Sequence, residues 1–212
     1  DLLELHKQFF APNNAILSVV GDFKIPEILS FIERRFGQWS FQQVKMPSID
    51  KPLRQKERRE KLLTMAAQQS NIYLGHLGIE RKNSDFYALQ VLDTILGGGA
   101  GFTARIPQRL RDELGLAYTT FASITMTAGI DPGRFVAYIG TSPENTRLAI
   151  DGLLNEIRKV VVEPVSPEEL QDAKDFLTGS FVFAFESSSQ IARFLIQASV
   201  YDLGFDYGAK YP

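Results

Sequence analysis

Few residues of this 212-residue chain are of types that do chemistry, and their spacing narrows the field further. There are two histidines, His6 and His76, and no cysteine. Neither histidine has a second histidine or a carboxylate at metal-ligand spacing. His-x-x-Glu-His and His-Glu-x-x-His are both absent, as is every thiolate pattern. Most catalytic zinc sites take three protein ligands, so this stretch supplies no credible set by itself. No Gly-x-Ser-x-Gly elbow marks a serine nucleophile. The run Leu96-Gly97-Gly98-Gly99-Ala100-Gly101 is glycine-rich, but a helical pattern precedes it and no Gly-Lys-Ser/Thr closes it. That is the wrong context for a phosphate loop or a dinucleotide fingerprint. Arg111 and Tyr118 remain. An arginine fork suits a carboxylate or a peptide carbonyl. A phenol is a short-range donor able to support an oxyanion. On residue chemistry alone a structural reading stays open, in which Arg111 pairs with Asp112, Glu113 or another nearby carboxylate and Tyr118 fills a sheet edge.

The elements around this pair are legible from pattern. A helix over residues 85–96 puts Phe86, Leu89, Leu92 and Leu96 on one stripe. It runs into the glycines, which are too permissive for a helix interior and predict a tight connection over residues 95–101. A second helix over 102–114 ends at Gly115. Its stripe is Ile106, Leu110 and Leu114. Arg111 sits five residues after Ile106, about 140° round the helix, and so leaves that stripe. Tyr118 then opens a strand over 116–127, rich in threonine and aromatics. A turn at 129–133 and a strand at 134–139 complete a hairpin. The returning strand is apolar on both faces and should be central.

Upstream, Pro12-Asn13-Asn14 breaks an opening helix, and the apolar run over 15–20 predicts a buried strand. Pro26 and Glu27 start a helix that Gly37 ends. Residues 44–53 read as an extended loop. The charged stretch 54–61 reads as a solvated edge strand, continued by 62–65, and 69–79 as a further strand. Downstream, Ser142-Pro143-Glu144 opens a long helix with Ala149, Leu153, Ile157 and Val160 buried. Ser166-Pro167-Glu168-Glu169 forms a capping box for the next helix. Residues 187–189 make a joint before a last helix over 190–201. The mixed order of hairpins and helices predicts an α+β fold, a mostly antiparallel sheet with helices packed on one face.

Composition sets outer limits. The chain is 44% apolar with 16 Phe, a globular composition large enough for one sizeable core or two small ones. A net charge of −2 gives no basic field for nucleic acid or an acidic membrane. No apolar run is long enough to span a bilayer. The ends read as cut from a longer protein, a fragment truncated at both termini.

Four segments, in order, resemble one family. They are Phe9-Phe10-Ala11-Pro12-Asn13-Asn14-Ala15-Ile16-Leu17-Ser18-Val19-Val20-Gly21-Asp22, then residues 92–99 followed by Phe102-Thr103-Ala104-Arg105-Ile106. Next comes Leu110-Arg111-Asp112-Glu113-Leu114-Gly115-Leu116-Ala117-Tyr118, the most specific, and finally Ser166-Pro167-Glu168-Glu169-Leu170 with Ala173-Lys174. Together they are similar to the inverzincin, or pitrilysin-type (M16), zinc peptidases, and most like the processing-peptidase-like members.

The resemblance implies that residues 1–212 form a single C-terminal-type domain, one half of a two-domain unit. It implies a zinc ion in the missing N-terminal domain and no cofactor in this piece. Arg111 would contact the substrate backbone or help assemble the chamber, and Tyr118 would support the oxyanion. Expected partners are a peptide or unfolded polypeptide substrate, the N-terminal zinc domain, and a second copy or sister subunit in a homo- or heterodimer. The isolated piece should not hydrolyse peptides. The alternative is a non-catalytic scaffold or partner subunit of the same fold.

Overall fold

The computed structural model describes residues 1–48, 50, 52–53, 55–98 and 104–211. In chain order the helices are α1 (Leu2–Phe9), α2 (Ile25–Phe36), α3 (Phe86–Leu96), α4 (Thr146–Val162), α5 (Pro167–Phe181), α6 (Ser188–Val200) and α7 (Tyr207–Lys210). The strands are β1 (Ser70–Leu77), β2 (Thr120–Ser123) and β3 (Arg134–Thr141). A π-helical turn covers Pro107–Glu113. Two compact units form, one from Asp1–Lys51 with Val182–Pro212, the other from Pro52–Phe181.

In the first unit the Asp1 side chain caps α1 by accepting from Leu3 N at 3.0 Å. Ser187 caps α6 in the same way, from Gln190 N at 3.3 Å. Phe194 of α6 packs between Phe185 and Tyr207, with ring centroids 4.9 and 5.4 Å away. Neither α1 nor α2 buries a residue.

The second unit holds the sheet, in the order β1-β3-β2 with both pairs antiparallel. β3 is central, as its two apolar faces require, and from Phe135 to Thr141 only Tyr138 is less than fully buried. Ile72, Ala137 and Ile139 face a core completed by Leu110 of the π turn and by Ala149 and Leu153 of α4. Ile106, Leu110, Ile139 and Leu153 are its largest fully enclosed side chains.

The expected mostly antiparallel sheet with helices packed on one face is not what forms. Of the described residues 49% are helical, and the sheet they form is small and open, with about 10% of them in strand. Residues 15–20 run extended with no ladder among the described residues, and Ile16, Leu17 and Val19 stand exposed. An apolar run becomes a strand only with a partner to bond. The described residues of 54–61 are likewise irregular and exposed, as are Leu62, Leu63 and Met65. A dense charge run gains more from water and from local pairs, such as Arg58 with Glu60 at 3.3 Å, than from a ladder.

The third shortfall is β2, four residues where twelve were expected by pattern. Its far end is diverted by Asp93, a buried acid on α3. The Asp93 carboxylate accepts from the Ile124 and Thr125 amides at 2.7 and 3.0 Å. It also accepts from the Ser123 and Thr125 hydroxyls at 2.6 and 2.5 Å. Those amides therefore leave the ladder for a carboxylate, a stronger acceptor than a carbonyl.

The Asp93 main chain acts too: its carbonyl accepts from Gly97 and Gly98 N, at 2.9 and 2.5 Å, and closes α3. Ala122 N then donates to Gly97 O at 3.3 Å. Gly98 must be glycine here, because a Cβ would lie 2.6 Å from Ala122 O. The rest of the expected glycine connection, from Gly99 to Gly101, lies outside the described residues, as do Phe102 and Thr103 at the start of the second helix.

Asp93→Ala strips four donors of their acceptor at once. Urea denaturation followed by circular dichroism should show a loss of about 2–4 kcal/mol. Asp93→Asn, which keeps one acceptor oxygen, should lose less. An unchanged midpoint in Asp93→Ala would rule out the clamp.

Candidate functional site

The turn that separates Arg111 from Tyr118 is built by its hydrogen bonds. Leu110 anchors the π turn in the core, but Leu114 is exposed, so the expected apolar stripe stops at Leu110. The widened turn explains the difference. Leu114 N donates to Arg109 O at 3.2 Å, one residue further back than in an α-helix. The turn closes through Gly115, whose φ of +61° is the left-handed conformation glycine favours. Gly115 N donates to Arg111 O at 3.1 Å, and Leu116 N to Leu110 O at 2.8 Å. Buried Leu116 then leads the chain toward β2.

Arg111 is half-buried and forked onto Asp112, with Nε to Oδ1 at 2.8 Å and Nη2 to Oδ2 at 3.2 Å. The Asp112 hydrogen bonds hold the guanidinium pKa above its ordinary value, and Tyr118 is near enough to push it the same way. Arg111 in turn holds the Asp112 carboxyl below the usual carboxylate range. Tyr118 is 93% exposed and lies in a bend two residues before β2, rather than opening the strand. The two sequence-identified residues thus flank one turn, closed by Gly115.

Each histidine has a ring partner of its own. His6 stacks on Phe10 at 4.5 Å in the first unit. His76 stacks on Phe135 at 4.9 Å, and its Nδ1 donates to Leu77 O at 2.7 Å. Among the described residues no three His, Cys, Asp or Glu side chains converge to hold a metal. The donor set among the described residues does not fit a zinc ion.

A charged cleft of about 390 Å³ lies on the far side of the π turn, lined by Arg105, Arg109, Glu113, Glu156, Lys159 and Glu169 among others. Arg105 grips Glu169 through two bonds of 2.7 and 2.6 Å. That hydrogen bonding raises the Arg105 pKa, against the lowering effect of burial. Arg109 pairs with Glu113, and Lys159 with buried Glu156 at 2.8 Å. The Arg105–Glu169 pair ties α5 to the residues just ahead of the π turn, while the other two are local, one within the π turn and one within α4. Sequence reasoning missed them. It also missed Asp93, which carried a signal: an acid four residues after Leu89 and three before Leu96 lies on the buried stripe.

The family described as Peptidase M16 inactive domain matches residues 1–177. The chain belongs to that family. An uncharacterized zinc protease of Bacillus subtilis is 24% identical over 182 residues, which is 85% of this M16 chain and 42% of the relative. Another, from Rickettsia felis, is 30% identical over 184 residues, 82% of this chain and 40% of the relative. The chain therefore spans less than half the length of these relatives.

Among solved structures, a protease from Helicobacter pylori superposes with a TM-score of 0.86 at 22% identity, over 98% of this chain and 51% of that one. A peptidase M16 inactive domain from Pseudomonas fluorescens gives 0.73 at 23% identity, over 90% and 44%. These two establish a shared fold. Among the described residues no helix is long and apolar enough to cross a membrane.

The Arg111–Asp112 pair has a checkable pH signature. A carboxyl whose folded pKa is depressed contributes stability above its unfolded value, and loses it as pH falls through the folded one. Carbon-13 titration of the Asp112 carboxyl should therefore show a midpoint below the usual carboxylate range. In Arg111→Ala the midpoint should return to that range. Identical midpoints in both proteins would show that the pair does not form in solution.

Proposed function

We propose that this M16 domain is the substrate-binding, non-zinc half of a zinc metalloendopeptidase. The metal and the water it activates belong to a separate N-terminal domain, on the same polypeptide or on a partner subunit. The match to residues 1–177 crosses both compact units, which supports reading residues 1–212 as one domain of a longer protein. The observation that carries the proposal is the Gly115 turn, which is flanked by Arg111 and by an outward-standing Tyr118.

In this reading the substrate is a peptide or unfolded polypeptide. Arg111 binds a main-chain carbonyl and fixes the register of the peptide. The Tyr118 hydroxyl donates to the carbonyl oxygen of the cleaved bond as negative charge builds on it. Such a donor acts mainly on the transition state, so its loss falls on kcat. Losing a carbonyl contact present before and during reaction falls on KM.

The test is cleavage of a quenched fluorescent peptide by the full-length protein. Tyr118→Phe should lower kcat about 10²-fold with KM nearly unchanged. Arg111→Ala should raise KM roughly tenfold or more. Wild-type kinetics in both variants would overturn the roles given to these residues, and absence of cleavage by the full-length protein would favour a scaffold or partner subunit of the same fold. The 212-residue chain alone, titrated in metal-free buffer, should bind zinc without one-to-one stoichiometry. A tight one-to-one site would refute the placement of the metal elsewhere.

A further inference from the structure

We infer that Thr141, the last residue of β3, is a positioning residue for Tyr118, an inference that rests on the proposed catalytic reading of that phenol. The β2–β3 ladder runs out at Thr119, whose carbonyl accepts from Gly140 N at 3.2 Å. Just before it, the Thr120 hydroxyl donates to Tyr138 O at 2.8 Å. Past the end of the ladder the side chain of Thr141 takes over. Its Oγ1 donates to Leu116 O at 2.7 Å, and both residues are buried.

Leu116 and Thr119 are thus held to β3 from two consecutive residues, Thr141 and Gly140. Ala117 and Tyr118 span the gap between these anchors, and the chain bends at Tyr118. Both ends of the arch are fixed, and its crest presents the phenol at 93% exposure. An exposed side chain has no packing of its own to hold it. Its position is set by its backbone, and that backbone is set by the two anchors. A donor must stand near 3 Å from the forming oxyanion to be effective, so a small drift of the arch weakens it.

Threonine suits this role for two reasons. Its branched Cβ restricts χ1, so the hydroxyl points one way. Its shape matches valine, which has no donor to offer a buried carbonyl. The upstream anchor is doubled, because Leu116 N also reaches back to Leu110 O. Thr141 therefore couples the arch to the sheet, while the Gly115 turn couples it to Arg111.

Two measurements on the full-length protein test this. In hydrogen exchange across residues 116–120, Thr141→Val should speed exchange roughly five- to tenfold, and Thr141→Ser should restore slow exchange. Equal rates in all three proteins overturn the inference, whatever the activity. In peptide cleavage, Thr141→Val should lower kcat roughly tenfold with little change in KM, and Thr141→Ser should restore it.

The double variant Thr141→Val with Tyr118→Phe should be no slower than Tyr118→Phe alone, because a misplaced donor and a missing one are equivalent. Multiplicative losses would show that Thr141 acts on general stability and would overturn the inference. Fast exchange in Thr141→Val together with wild-type kcat in Tyr118→Phe would locate the failure in the catalytic reading of Tyr118, and the positioning role would fall with it.

Discussion

The second unit depends on one buried carboxylate. Asp93 sits on the apolar stripe of α3, where an acid would ordinarily be expelled. It is retained because its carboxylate is met by four donors: the Ser123 hydroxyl at the end of β2, and the Ile124 amide, Thr125 amide and Thr125 hydroxyl just after it. Taking an ion out of water is costly unless its lone pairs are met, and here they are met. The same residue closes α3 through its carbonyl. Gly97 then passes the connection on to Ala122. One position thereby decides where α3 stops and where β2 stops. It also decides how close the two may come, and this is why Gly98 has no room for a side chain.

The consequence reaches the other end of β2. A four-residue strand bonded to β3 is short, and each of its ends must be fixed by something other than the ladder. Asp93 fixes the end that leaves toward the hairpin. Thr141 and the Gly115 turn fix the end that arrives from Arg111. The arrangement trades ladder bonds for side-chain bonds at both ends. A carboxylate or a branched hydroxyl points in one direction, and the bends it makes are correspondingly definite. The apparent loss of strand leaves Tyr118 on a fixed arch instead of flat in a sheet.

How much of this the sequence foretold follows from the range of the forces involved. Helix α3, the central β3 and the left-handed Gly115 rest on periodicity and on one residue's φ, so they are readable locally. The Arg111–Asp112 fork joins neighbours and was among the readings left open. The contacts that overturned local expectation are distant. Ser166 does cap α5 by accepting from Glu169 N at 3.1 Å, as the capping box requires. The reciprocal half fails, because the Glu169 carboxylate turns to Arg105, sixty-four residues away in the chain. A two-bond ion pair outcompetes a single amide, and nothing in a four-residue motif reveals it. Asp93 lies thirty residues before Ser123, and the shortening of β2 was illegible for the same reason. The apolar run at 15–20 carries a strand pattern without a strand's partner, a reminder that period gives a preference and pairing gives the structure.

The exposure of Tyr118 bears on what half a site can be. A hydrogen bond to an oxyanion is weak in water, where solvent competes for both partners, and strong where water is excluded. A phenol standing 93% exposed on a fixed arch is positioned but not yet potent. The Arg111 guanidinium is already engaged by Asp112, so its charge is locally balanced, and the carbonyl contact proposed for it needs no large field. Neither group requires a metal, a buried cavity or a matched acid–base pair to hold its geometry. Such groups can be placed on a domain that contains none of the hydrolytic machinery. In the proposed reading their strength comes from a peptide and an opposing surface that close over the arch and exclude water from it. A domain can therefore lack every ligand for a metal and still carry the donors that the proposed reaction needs, because placement is the only property those donors must bring.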